Sequence, residues 1–96
     1  MKKFQAIIKF TMDEQFMQLV PPHRTYINYL MNKSVIDSYA VSMESQTCWI
    51  TMNCENKAEA DKCLAKSPLY KYWSYEIEEP FVYDSQHYRF PALQLN

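Results

Sequence analysis

With 96 residues, 48% of them apolar and 16% aromatic, the chain has material for one packed domain and no room for a second. Ten basic residues against eleven acidic ones leave a net charge of −1 with no long run of one sign, which argues against a nucleic-acid partner. Glycine is absent, and this excludes Gly-rich phosphate loops, the dinucleotide-binding fingerprint and a glycine-flanked nucleophile elbow.

The basic N-terminus is followed by an apolar run that Gln5 and Lys9 interrupt, so it reads as a strand rather than a leader. Over residues 4–10, Phe4, Ala6, Ile8 and Phe10 alternate with Gln5, Ile7 and Lys9, the period of a first strand. Asp13 then caps a helix whose apolar positions Phe16, Val20, His23, Ile27 and Leu30 recur every three or four residues. Pro21 and Pro22 lack backbone donors and predict a kink or a fresh helix start, and residues 32–34 close the helix. Residues 35–43 and 46–53 are β-rich and joined by Glu44-Ser45, a hairpin. Asn56 caps a second helix to about residue 66, with Ala60, Cys63 and Leu64 inward, and Ser67-Pro68 ends it. Residues 70–77 form an aromatic fourth strand, stopped by Glu78-Glu79-Pro80.

The order is β-α-β-β-α-β, the ferredoxin-like α+β arrangement of one four-stranded antiparallel sheet with both helices on one face, over residues 1–80. The other face is left open. It is expected to carry Gln5, Ile7, Lys9, Thr47, Trp49 and Thr51, together with Tyr72, Ser74 and Glu76 of the fourth strand. Pairing two such faces in a homodimer, or a higher even oligomer, would cover them. Residues 81–96 hold Phe81, Tyr83, Tyr88, Phe90 and Leu93, too apolar for a disordered end, and are expected to dock on the sheet edge or the partner subunit. Three cysteines, an odd number in core-like contexts, fit reduced thiols in the cytoplasm; no stretch is apolar enough for a membrane helix. The spacing of His23, His87 and the cysteines matches no metal site, and no cofactor is expected.

The run from Ser67-Pro68-Leu69-Tyr70 through Tyr72-Trp73 to Ile77 resembles the Pro-Leu-Phe-x-Tyr segment and final strand of muconolactone isomerase-like proteins. Pro22-His23-Arg24, residues 35–39 and Cys48-Trp49-Ile50 resemble further segments in the same order, over about residues 3–80. Where that group carries a glycine before the second strand, this chain has Lys33 or Ser34, and of its basic and polar site groups only Lys9 has a counterpart. The resemblance implies a dimeric α+β barrel and cofactor-free proton transfer in a pocket between sheet and helices. A second resemblance is to YciI-like proteins, in which a strand-one Asp and a helix-one His form a proposed catalytic pair; Asp13 and His23 stand at comparable places.

Each candidate residue has two readings. Asp13 with His23 makes chemical sense as a dyad, because a carboxylate bonded to one imidazole nitrogen leaves the other as a base; Asp13 is also an ordinary helix cap and His23 lies on an apolar stripe. Lys9 suits a proton shuttle or carboxylate anchor, or a plain ion pair with Glu76. Arg24 suits a carboxylate clamp or a solvated surface. Tyr39, Trp49 and Tyr72 suit an aromatic substrate pocket or a dimer interface. Three functions remain open: a cofactor-free isomerase or lyase acting on a small metabolite, a small-ligand binding module, and a dimeric assembly protein.

Overall fold

A computed structural model describes residues 1–84. Its elements are β1 (Lys2–Phe10), α1 (Phe16–Asn32), β2 (Ile36–Ser42), β3 (Thr47–Cys54), α2 (Lys57–Ala65) and β4 (Trp73–Glu78), with a 3-10 turn at Tyr70–Tyr72 before the last strand. The strands form one antiparallel sheet in the order β2-β3-β1-β4. This is the ferredoxin-like βαββαβ fold that the alternation of apolar residues predicts.

Strand parity sorts the side chains. Phe4, Ala6, Ile8 and Phe10 of β1 are buried on one face, and the register sets Ala6 opposite Ile50 and Ile8 opposite Cys48 of β3, so these lie in the same layer. Ile27 and Leu30 of α1 and Ala60 and Leu64 of α2 join that layer, which fixes both helices on the same side of the sheet. Asn56 caps α2 as expected, its side-chain oxygen accepting from the Glu59 amide at 2.9 Å.

Three local expectations meet different outcomes. First, of the two expectations at Pro21 and Pro22, a kink or a fresh start, the fresh start is excluded: α1 runs through both prolines as one helix. The two carbonyls that the prolines leave without donors belong to Met17 and Gln18, both on exposed residues where water can satisfy them. Secondly, Asp13 stands two positions before Gln15, the residue flanking α1, and still caps the helix entry as expected, its Oδ1 accepting from the amides of Gln15 and Phe16 at 2.9 and 3.1 Å. Thirdly, Tyr70 and Tyr72 belong to the 3-10 turn, closed by Tyr70 N–H to Ser67 O and Tyr72 N–H to Leu69 O. Tyr72 is therefore on the helix side, with its ring edge-on to Phe16 at 5.3 Å, and not on the open face.

The close of α1 shows what the lack of glycine costs. Ser34 has φ 62°, and the amides of Ser34 and Val35 bond back to Met31 O and Leu30 O, the pairing of a Schellman cap whose left-handed position glycine normally fills. Ser34→Gly is expected to stabilise the fold by about 0.5–1 kcal/mol, relief of left-handed strain partly offset by unfolded-chain entropy. For a domain of this size that is a rise of roughly 2–6 °C in melting temperature, measurable by calorimetry.

Of the tail, Phe81–Asp84 is described. The Tyr83 hydroxyl donates to Asp37 Oδ2 at 2.7 Å, and Lys3, itself 3.0 Å from Asp37, lies over the Tyr83 ring. The expected docking of residues 85–96 lies outside the described residues. No helix of the described residues is long and apolar enough to cross a membrane.

Candidate functional site

The site is built where α1 crosses the sheet near the end of β1. Its helical spacing turns Phe16, Val20 and His23 toward the sheet, where the alternating positions Tyr39 and Val41 of β2, Cys48 of β3 and Trp73 of β4 face them. These side chains, with buried Leu69 and the exposed Met17 and Met43, line a half-open cavity of about 290 Å³. That is near the lower end of ligand-pocket volumes, and the wall is almost wholly apolar. Arg24 stands at the mouth with its guanidinium carbon 5.2 Å above the Tyr39 ring. No aspartate or glutamate is among the lining residues.

The polar part of this site is a chain of three side chains. His23, only 1% exposed, has its Nδ1 2.7 Å from Ser67 Oγ and its Nε2 2.8 Å from the Tyr39 hydroxyl. Trp73 meets the imidazole edge-on, with ring centroids 5.6 Å apart. Burial, with the nearby Arg24 charge adding to it, brings the His23 pKa down from 6.5 to about 4, so the ring is neutral at pH 7. Burial likewise raises the Tyr39 hydroxyl to about 12 and the adjacent Cys48 thiol to about 11. All three groups are held in their uncharged forms, as an apolar cavity requires.

Of the candidate residues, the structure brings His23, Arg24 and Tyr39 together and places the others elsewhere. Asp13 does not partner His23. Its Oδ1 accepts from the Tyr72 hydroxyl at 2.7 Å as well as from two amides, and the Tyr72 bond leads these in holding the carboxyl below its usual range. His23 takes its orientation from Ser67 and Tyr39 instead. Tyr72, committed to Asp13, does not line the cavity. Lys9 and Trp49 lie on the open face, separated from the cavity by the sheet itself. Lys9 Nζ donates to Thr47 Oγ1 at 2.7 Å, and Glu76 stands opposite Ile7 in the register, so the expected ion pair is replaced by a hydroxyl contact.

Ser67 and Trp73 are positions of this candidate site that the sequence does not single out. Parity was a usable signal for Trp73, which precedes Tyr75 and Ile77 by even steps. For Ser67 there was none: it is 44 residues from His23 and reads only as a helix stop.

No family model matches the chain, and no curated protein matches it. Among solved structures, it is similar to 5-chloro-2-hydroxyhydroquinone dehydrochlorinase of Burkholderia phenoliruptrix AC1100, in complex with 2,5-dihydroxybenzoquinone. The TM-score is 0.59 at 12% identity, over 88% of this chain and 97% of the other. That likeness is one of fold. It agrees with the ferredoxin-like α+β architecture read from the sequence, and chemistry has to be argued from the cavity.

Proposed function

We propose that this protein is a cofactor-free enzyme of the isomerase or lyase type, moving a proton on a small, mostly apolar, oxygenated ring compound, and that it works as a cytoplasmic homodimer. The observation that carries the reading is the hydrogen-bonded chain Ser67–His23–Tyr39 ending on an apolar cavity of single-ring size. Buried neutral hydrogen-bonding groups of this kind stabilise charge as it develops on a substrate oxygen, since a bound ligand displaces the water that would compete with them. With no carboxylate on the wall, the carbon-bound proton must exchange through water at the Arg24 side or through the substrate's own oxygen. Enols and ionisable ring hydroxyls therefore suit the site better than simple ketones. The dehydrochlorinase of the same fold, with its hydroxyquinone ligand, supports the substrate class by analogy only.

The deciding experiment is NMR of 2,5-dihydroxybenzoquinone in deuterated buffer with the wild-type protein. Saturable acceleration of deuterium exchange at its ring carbons supports the enzyme. Binding without exchange would move the assignment to a ligand-binding module. That second reading is favoured by one fact: His23 near 4 and Tyr39 near 12 are both far from neutrality, where a proton-transfer group works best.

The dimer uses the opposite face. Half-buried Ile7 and Trp49 sit among Gln5, Ser38 and Thr51 with Lys9 and Glu76 beside them, on the face away from the cavity, so association and ligand binding do not compete for side chains. In sedimentation at micromolar concentration the wild type is expected to run at the mass of two chains and Trp49→Lys at one. A wild-type monomer, or an unaffected variant, would remove this part of the proposal. Buried thiols at Cys48 and Cys54 support a reducing compartment.

A further inference from the structure

We infer that Ser67 fixes the direction of the hydrogen-bonded chain so that the Tyr39 hydroxyl faces the cavity as a donor, and that the ligand's buried polar atom is accordingly an acceptor oxygen, a carbonyl or an oxyanion. The inference rests on the cavity being the ligand site, as proposed above, and names what that site recognises.

The argument is a count of donors and acceptors. Ser67 is buried, and its Oγ accepts the Leu69 amide proton at 3.0 Å. Its own proton needs an acceptor, and among the described residues His23 Nδ1 at 2.7 Å is the one in reach. Were Nδ1 to donate instead, the serine oxygen would receive two protons while its hydroxyl proton went unpaired in the core, a costly arrangement. A neutral imidazole has a single N–H. With Nδ1 accepting, that proton sits on Nε2 and is donated to the Tyr39 oxygen at 2.8 Å.

Tyr39 then has a proton to place away from His23. The protein acceptor beside it is the Cys48 thiol, a weak one that a ligand oxygen outcompetes. Arg24 leads to the same result independently, because a guanidinium has donors only and stands at the same mouth. An amine or ammonium ligand would meet donors at both points. Ser67 is thus a positioning residue, acting on the ligand through His23 and Tyr39.

Two measurements on the full chain test this. Long-range proton–nitrogen correlation spectra at pH 7, with the two histidines told apart by His87→Gln, are expected to show His23 protonated on Nε2. Ser67→Ala should yield mixed tautomers and Ser67→Thr should restore the single one. For the ligand class, the probes are acetophenone and α-methylstyrene, which share a shape and differ in C=O against C=CH₂. Wild type is expected to bind acetophenone about fivefold more tightly, the worth of one net hydrogen bond, and Tyr39→Phe to lose most of that preference, Arg24 alone accounting for what is left. His23 protonated on Nδ1 overturns the inference, and so does equal binding, or none, of the two probes to wild type. The tautomer is read without turnover, so it stands or falls separately from the enzyme reading.

Discussion

Tyr39→Phe is expected to lower the turnover number for ring-carbon exchange by about 10²–10³-fold, the usual effect of deleting one hydrogen bond to a developing oxyanion. The expected change in substrate affinity is much smaller, within about tenfold, because in the ground state the bond replaces one to water and has only a modest net worth. The split between kcat and KM is what marks transition-state stabilisation. Loss of the hydroxyl also strips His23 Nε2 of its partner at 2.8 Å. That is expected to destabilise the fold by about 1–3 kcal/mol, the cost of an unsatisfied buried donor. Kinetics and melting should therefore be measured on the same samples. Val41→Ala, which alters the cavity wall without touching the polar chain, should leave kcat within a few-fold. An unchanged kcat in Tyr39→Phe would remove Tyr39 from the chemistry and leave a binding pocket.

How much of this was legible in sequence depends on whether the signal is local. The alternation Phe4, Ala6, Ile8, Phe10 and the stripe Ala60, Leu64 report burial directly, because period two and period 3.6 decide which side chains share a face. Element order and the sorting of Lys9 and Trp49 onto the open face followed from the same rule. The misreadings came where a tertiary contact outweighs local propensity. Tyr72, in a β-rich aromatic run, was expected in a strand; its bond to Asp13, 59 residues away, and the Ser67-Pro68 turn hold it in a 3-10 turn instead. That single contact also took Asp13 from His23. The site residues Arg24 and Tyr39 were found for their chemistry, but nothing along the chain pairs Tyr39 with His23 or separates it from Trp49. Only the register, which points Tyr39 to the helices and Trp49 away from them, does that.

The largest stability effect is expected on acidification, and it centres on His23. Its pKa is about 4 in the folded protein against an ordinary 6.5, and the side chain is only 1% exposed, so solvent screens it little. Between these two values the unfolded chain binds a proton that the folded one does not, and stability must fall as pH falls through that window. Below pH 4 the full difference is lost, on the order of 3 kcal/mol, a large share of the 5–15 kcal/mol typical of a domain. Protonation would also add an N–H at Nδ1, so Ser67, which donates to that nitrogen, would have to turn its own proton away. Of the charged groups near His23, Arg24 disfavours the cation, and no carboxylate among the cavity's lining residues offsets it. Asp13, held below its usual 3.8 chiefly by the Tyr72 hydroxyl, adds a loss in the same direction at still lower pH. Urea midpoints between pH 7 and pH 4 are expected to fall steeply for wild type and much less for His23→Gln, whose amide keeps one donor and one acceptor but cannot ionise. His87 is common to both proteins and drops out of the comparison. Identical pH slopes would mean that His23 takes up its proton in the folded state near its ordinary pKa, and the desolvated relay on which both the catalytic and the ligand-class readings depend would lose its support.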